Sequence, residues 1–348
     1  MSAMQKYVSQ KQRVVFLDIA RGLAILFMIA QHSMLVHEVN EGEGSSILGN
    51  IFLLLGTAPA APVFLIIMGI FIANSKASTQ RNIIRGIKIF LLGYVLNFAR
   101  FTVPLLIAGA LGSPYTEGET PLDYFLAVDI LQLAGLSMIF GALVKPYVEN
   151  KFIIPLIILL IMLVSPLLWG ILNENIVASL FWGSGEHVYF PFFPWFIYPL
   201  LGMYLSKYFL DPGFIKDKFR NIVSYGILLL LTGILLTSVF PDMDYQRSGI
   251  ALHLIIIGFV LVWIPACYAI SQKVTKKNTI IKTLTFWSKN VTSMYFIQWV
   301  LFGWSILILG VNMYSAAVAA LIGLSVLIVT HYLIKNDKVV QLFSSLSK

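Results

Sequence analysis

Ten apolar runs, most of them long enough to cross a membrane, follow one another along the chain. A transmembrane helix needs about 20 predominantly apolar residues. Charged residues make up only 11% of the 348 residues, against about 25% in a soluble domain. We therefore expect an all-α fold, a polytopic membrane bundle of about ten helices that forms a single domain over residues 1–348. The expected spans are 14–36, 47–74, 83–108, 124–144, 152–172, 188–207, 222–240, 249–271, 284–309 and 313–334.

The basic residues alternate between loops in the way that sets membrane orientation. Of 24 Lys and Arg residues, 21 fall in every second loop or at the termini, and only Arg21, Arg100 and Arg247 lie elsewhere. Lys and Arg collect on the cytoplasmic side of membrane proteins. We therefore expect a multi-pass plasma-membrane protein with both termini in the cytoplasm. The net charge of +8 then follows from topology, because the basic loops face the anionic lipids of the membrane. It predicts no nucleic-acid partner.

Three ionisable residues, Asp18, Arg21 and His32, lie within the first apolar run. Such residues at membrane depth mark functional sites by default. On a helix, Asp18 and Arg21 are i,i+3 neighbours, and His32 follows Arg21 by about three turns, so all three share one face. A rise of about 1.5 Å per residue separates Arg21 from His32 by about 16 Å, roughly half of the hydrocarbon thickness. The first helix therefore carries a polar stripe from the cytoplasmic side towards the outer half.

Each of these residues has a structural and a functional interpretation. Asp18 and Arg21 could form an ion pair that locks helix packing, or Arg21 could bind a phosphate or thioester. His32 could be a packing residue or a general base, because histidine titrates nearest neutrality. Asp129, in the fourth run, could orient His32, act as a base or make a structural hydrogen bond, and Arg100 could pair with it.

Other polar residues extend the set of candidates. Arg100, His253 and Gln298 lie at membrane depth and could contact a substrate, although Gln298 could equally form a hydrogen bond between helices. Arg85 and Lys88, on the cytoplasmic rim, could attract a polyanionic donor such as a coenzyme A thioester. No cluster has metal-ligand spacing, and neither a GxSxG elbow nor a phosphate-binding loop occurs. A base without a covalent nucleophile suits direct transfer, in which it deprotonates a hydroxyl or amine that attacks an activated acyl group.

Several segments also resemble one family of membrane enzymes. LDIARGLAILFMIAQH resembles the first-helix signature of the acyltransferases grouped with heparan-alpha-glucosaminide N-acetyltransferase and the YeiB-like proteins. Its Arg-x10-His spacing is similar to that of the related bacterial polysaccharide O-acyltransferases. Further similar segments are APVFLIIMGIFIANS, LLGYVLNFARF, VDILQLAGL, FPFFPWFIYPLLGMYLSK and, more loosely, TSMYFIQWV. Together they cover most of the chain in the family's order.

The resemblance implies an enzyme that takes an acyl group, usually acetyl, from cytoplasmic acetyl-CoA or another acyl-CoA, without a metal. The implied acceptor is an extracytoplasmic glycan or a lipid-linked sugar, and a homodimer is left open. The family's roles would make His32 the base and Arg21 the donor-binding residue, held by Asp18. In the animal branch an asparagine is expected at the place of His32 and the working histidine in the following loop, where this chain offers only His37. The bacterial pattern therefore fits better.

A second function remains open from the residues alone. The same Asp, Arg and His stripe could serve a transporter or channel for a small solute as an ion or proton relay. A transporter would need a midplane site with two gates, whereas the enzyme needs a cytoplasmic or lateral opening for pantetheine. A lipid-binding scaffold without chemistry would instead leave Asp18 and Arg21 paired and His32 packed.

Overall fold

The computed structural model describes residues 14–39, 46–112, 120–172, 175–239, 244–247, 249–274, 278–336, 338–339 and 341. Its regular elements are helices, and no described residue belongs to a β-strand. In chain order they are α1 (Val15–His37), α2 (Ile47–Thr57), α3 (Ala61–Ala73), α4 (Thr79–Asn97), α5 (Val103–Ala110), α6 (Pro121–Phe125), α7 (Ile130–Val144), α8 (Ile153–Leu168), α9 (Ile176–Trp182), α10 (Phe192–Trp195), α11 (Ile197–Phe209), α12 (Pro212–Leu236), α13 (Ile250–Lys273), α14 (Thr279–Lys289), α15 (Val291–Leu309) and α16 (Ala316–Leu333). A π-helical segment, Phe98–Thr102, joins α4 to α5. The predicted all-α class is confirmed.

Eight helical stretches in the described residues are long and apolar enough to cross a membrane: Val15–His37, Ile47–Ala73, Thr79–Ala110, Ile130–Tyr147, Gly213–Leu236, Ile250–Lys273, Val291–Leu309 and Ala316–Leu333. The other two expected spans coincide with shorter helices. The helix α8 has 16 residues, and the run 188–207 is divided between α10 and α11. The chain is a polytopic helical membrane protein, and the number of ten spans stays a prediction. Residues 1–13 and 342–348, on which the prediction for the termini depends, lie outside the described residues.

Three expected spans are interrupted by local chemistry that hydropathy does not detect. The run 47–74 breaks at residues 58–60, just before Pro62 enters the first turn of α3. The run 284–309 breaks at Asn290, between α14 and α15. The run 124–144 is continuous only from Ile130, because the Asp129 side chain caps α7 and accepts a hydrogen bond from its first N–H group. The helix therefore breaks within each of these runs, although Ile47–Ala73 is still one stretch long and apolar enough to cross a membrane.

The first helix, α1, packs against helices from both halves of the chain, among them α2, α13, α14, α15 and α16. One close approach is decided by a glycine. A Cβ atom at Gly22 would lie 2.6 Å from the backbone oxygen of Leu284. Only glycine therefore allows α14 to come this near to α1, immediately beside Arg21.

Contacts between loops join segments that the charge pattern places on the same side. On the basic side, the Lys145 ammonium donates a hydrogen bond to the carbonyl of Ser75. On the opposite side, the Val39 N–H donates to the carbonyl of Tyr314 at 2.8 Å. Loops of one side therefore meet each other, as expected for helices that cross in alternating directions.

Candidate active site

Asp18, Arg21 and Ser288 form a polar cluster near the beginning of α1. Arg21 donates from Nη2 to Asp18 Oδ1 at 3.3 Å and from Nε to Ser288 Oγ at 2.9 Å. The Ser288 hydroxyl donates to Asp18 Oδ1 at 2.7 Å. The Asp18 side chain is 4% exposed, whereas that of Arg21 is 16% exposed and lies 5.0 Å from the centre of the Phe71 ring. The i,i+3 ion pair therefore forms, and Arg21 is its more accessible member.

His32 lies three turns further along α1 and is partly buried. Its Nδ1 lies 3.2 Å from the amide oxygen of Gln298. With that oxygen facing the ring, Nδ1 carries the proton and Nε2 carries the lone pair that can accept one. The ring also packs against Trp299, with 4.2 Å between the ring centroids. These two contacts fix the tautomer and the orientation of the imidazole, which is what a general base requires.

The two ends of the stripe contact two consecutive helices, α14 and α15. The Asp18 and Arg21 cluster meets Ser288 on α14, and His32 meets Gln298 on α15. Eleven residues separate Arg21 from His32, and ten separate Ser288 from Gln298. The helices therefore run side by side in the same direction, and the shared face expected from the helical period is present.

A second network lies in the predicted outer half, around Arg100. Its guanidinium approaches the Asp129 carboxylate at 2.5 Å and donates to Asn97 Oδ1 at 2.9 Å. The Tyr295 hydroxyl donates to Asp129 Oδ2 at 2.7 Å. Arg100 and Asp129 are 1% and 4% exposed, so the pair is buried in the bundle. The pairing of Arg100 with Asp129 is therefore present.

Asp129 does not hold the His32 ring in the way that one sequence interpretation suggested. Its carboxylate contacts are Arg100, Tyr295 and the N–H groups of Ile130 and Gln132, while the hydrogen bond to the His32 ring comes from Gln298. The reason is that Asp129 forms the cap of α7, which aims its oxygens at the helix terminus.

Two further histidines lie in other surroundings. His253 is fully buried, and its Nδ1 lies 3.0 Å from the hydroxyl of Tyr198, so this contact joins α13 to α11. His37 is also buried, with Nε2 2.9 Å from the Ser305 hydroxyl. The fold therefore places His37 inside the bundle.

Arg85 and Lys88 lie one turn apart on α4 and are both partly exposed. The Nε atom of Arg85 is buried and has no hydrogen-bond partner among the described residues. The helix α4 packs mainly against α7, whereas Arg21 faces α14. The structure therefore keeps Arg85 and Lys88 on a separate helix, where their positive charges remain available to an anionic ligand.

The sequence interpretation missed three partners of the site, Ser288, Tyr295 and Trp299. Tyr295, Gln298 and Trp299 stand at positions i, i+3 and i+4, so they share one face of α15. That spacing was a signal that could have found them. No such spacing pointed to Ser288, because single serines are common in apolar runs.

The described residues contain no group of three His, Cys, Asp or Glu side chains that could hold a metal ion. The residues that are present offer a paired arginine, an oriented imidazole and a buried carboxylate. These groups can bind an anion and move a proton.

The family described as "Heparan-alpha-glucosaminide N-acetyltransferase, catalytic" matches residues 13–234. No curated protein sequence matches the chain. The matched range includes the whole polar stripe of α1 and the Arg100 network on the π-helical segment and α7, whereas α14 and α15 lie beyond it. Because the match covers more than half of the chain, the protein belongs to this family of membrane acetyltransferases.

Proposed function

We propose that the protein transfers an acyl group, most simply acetyl, from cytoplasmic acyl-CoA to a sugar or glycolipid on the opposite side of the plasma membrane. The family membership supports acetyl transfer. The observation that carries the catalytic part is His32, whose Nδ1 is held by Gln298 so that Nε2 can accept a proton.

The reaction follows from that geometry as a direct transfer. His32 Nε2 removes the proton of an acceptor hydroxyl or amine, and the acceptor atom attacks the thioester carbonyl carbon. The carbon–sulfur bond then breaks, and the coenzyme A thiolate takes the proton back from the imidazolium. Atoms and charge balance without a metal or a covalent enzyme intermediate.

The donor is assigned to the Asp18 and Arg21 end of the stripe. Arginine is suited to phosphate and carbonyl oxygens, because its planar group presents several N–H donors. Asp18 and Ser288 fix the guanidinium, and Arg85 and Lys88 add positive charge on the predicted cytoplasmic rim. The distance of about 16 Å from Arg21 to His32 is then the length over which the pantetheine arm reaches into the membrane.

The test compares wild type with His32→Gln, which replaces the imidazole by an amide that has no basic nitrogen. Thiol release from acetyl-CoA by the purified protein is the measurement. We expect a decrease of about 100-fold or more, the usual contribution of a general base. His331→Gln is the matched control, because His331 pairs with Trp287 near the end of α16 and takes no part in the site. Equal rates for wild type and His32→Gln would remove His32 from the mechanism.

A further inference from the structure

A partly open cavity lies between the π-helical segment, α5 and α15, on the predicted outer side. Its volume is about 160 Å³. Apart from Arg100 and Tyr124 its wall is apolar, and includes Phe101, Pro104, Leu105, Ala108, Ile306 and Leu307. Because α5 and α15 belong to candidate membrane spans, this outer cavity lies at membrane depth. An apolar cavity of about 150 Å³ accommodates benzene, so there is room for the first carbons of a hydrocarbon chain.

Arg100 lines the outer cavity, and two of its hydrogen-bond donors have no partner in the described part of the chain. The residue is 1% exposed, and its Nε and Nη1 atoms are buried without a hydrogen-bond partner in the described part of the chain. The contacts to Asn97 and Asp129 both use Nη2. Buried donors without partners are rare and unfavourable, above all on a charged group. These two donors therefore lack an oxygen acceptor, and none of the described residues supplies one.

Arg100 can interact with a second anion while it is paired with Asp129. Asp129 also accepts hydrogen bonds from the Tyr295 hydroxyl and the Ile130 N–H, each at 2.7 Å. It caps α7, whose N-terminus favours a negative charge. Since the carboxylate is stabilised by these three sources as well, Arg100 can bind a second anionic oxygen.

The apolar wall selects the kind of molecule that could supply this oxygen. A free sugar would lose its hydrogen bonds to water in such a cavity, whereas a hydrocarbon chain would not. The occupant that fits is therefore an amphiphile with an anionic head and an apolar tail. Trp299 contacts both His32 and Arg100. The centre of its ring lies 4.2 Å from that of the His32 ring and 4.6 Å from Arg100 Cζ. A head group at Arg100 is thus one indole ring away from His32.

We infer that the acceptor sugar is presented on a lipid phosphate. The phosphate oxygens accept hydrogen bonds from Arg100 Nε and Nη1, the first carbons of the lipid fill the outer cavity, and the sugar extends towards His32. This inference rests on the proposed function, because it names the acceptor class of the same site. A free phosphate has the same head-group chemistry, so the experiment separates the two sources.

The test measures the thermal unfolding midpoint of the full-length protein in an uncharged detergent. Geranyl phosphate, geraniol and inorganic phosphate are added at equal concentration. We expect geranyl phosphate to raise the midpoint by about 2 °C or more, and clearly further than either other compound. An equal rise with inorganic phosphate would indicate a free-phosphate site, and an equal rise with geraniol would indicate a purely apolar one. Either result, or no rise at all, would overturn the inference.

Two variants locate the binding. Ala108→Phe fills the outer cavity, and Ala110→Phe is its matched control, because Ala110 is exposed on the same helix. We expect the first variant to lose the shift with geranyl phosphate and the second to keep it. Arg100→Lys keeps the charge opposite Asp129 but removes the Nε and Nη1 donors, so its shift should fall to that with geraniol. If Ala108→Phe does not fold, Arg100→Lys decides, and an unchanged shift there contradicts the inference.

Stabilisation of the wild type by coenzyme A distinguishes the two proposals. A protein that responds to coenzyme A but not to geranyl phosphate would overturn the lipid acceptor and leave the proposed function standing. A protein that responds to geranyl phosphate but not to coenzyme A would contradict the proposed function, and the acceptor role of the lipid with it.

Discussion

At the scale of single residues, the proposed mechanism gives Gln298 the role of preparing His32 to act as a base. An isolated imidazole exchanges between two tautomers, and its ring can turn. The Gln298 oxygen lies 3.2 Å from Nδ1 and selects the tautomer with a basic Nε2. Gln298 is therefore a positioning residue, although the sequence offered it as a substrate contact or as a bond between helices.

Gln298→Leu should lower kcat about 10-fold or more, because the ring loses the acceptor for its Nδ1 proton. The KM for acetyl-CoA should change little, because Gln298 lies at the far end of the stripe from Arg21. Gln298→Glu keeps an acceptor oxygen at the same place and should restore most of kcat. Steady-state thiol release gives both constants. If the Glu variant were as impaired as the Leu variant, the role of Gln298 would be structural only.

Arg21→Gln should abolish most of the thermal stabilisation that coenzyme A gives to the wild type, because the charged donor to the phosphate or carbonyl oxygens is lost. The chain supplies a matched control in Arg247, which also pairs with an aspartate three residues earlier, at 2.7 Å, but in a loop on the predicted outer side. Arg247→Gln should leave the stabilisation intact. Equal shifts for Arg21→Gln and wild type would argue against a donor site at this position.

The residue pairs within one helix could be predicted, and those between helices could not. The Asp18 and Arg21 pair follows from i,i+3 geometry, and the common face with His32 follows from the helical period. Which residue each of them meets depends on tertiary packing. Ser288 and Gln298 lie more than 250 residues away in sequence from their partners, and the helical period does not determine such contacts.

At the scale of elements, the π-helical segment explains how Arg100 reaches the site. The N–H of Val103 donates to the carbonyl of Phe98, five residues back, and the next residue, Pro104, has no N–H to donate. The Ala99 carbonyl accepts instead from the Trp304 indole at 3.1 Å. The segment therefore depends on α15 for one of its hydrogen bonds.

Gly303→Ala should destabilise this junction. A Cβ atom at Gly303 would lie 1.9 Å from the backbone oxygen of Arg100, so α15 and the π-helical segment would have to separate. Overpacking of this kind costs about 1–3 kcal/mol. Gly249→Ala is the control, because nothing lies within 4 Å of the added atom. Thermal unfolding of both variants checks the prediction, which fails if their midpoints fall by the same small amount.

Hydropathy predicted where helices lie, because burial in lipid requires long apolar runs. It did not predict where they break. The beginning of α7 at Ile130 depends on the Asp129 cap, and the turn to π-helical geometry accompanies a single proline. The interruption at Asn290 lies within one apolar run. Such breaks depend on one or a few residues, so they vanish in a hydropathy average over about 20 residues.

At the scale of the whole molecule, the site is assembled from two distant parts of the chain. The family match ends at residue 234, yet α14 and α15 supply the partners of Asp18, His32 and Asp129. Helix α1 carries Asp18, Arg21 and His32, and the C-terminal helices supply hydrogen-bond partners for them. Residues beyond the matched range are therefore as necessary to the geometry as those within it.

The predicted orientation in the membrane can be tested through the single cysteine of the chain. Cys267 is fully buried, so a membrane-impermeant maleimide should leave the wild type unlabelled. Glu186→Cys and Lys151→Cys place exposed thiols in loops predicted to lie outside and inside the cell. In intact cells only Glu186→Cys should react, and Lys151→Cys should react after permeabilisation. If both reacted from outside, the donor end of the stripe could no longer be assigned to the cytoplasm.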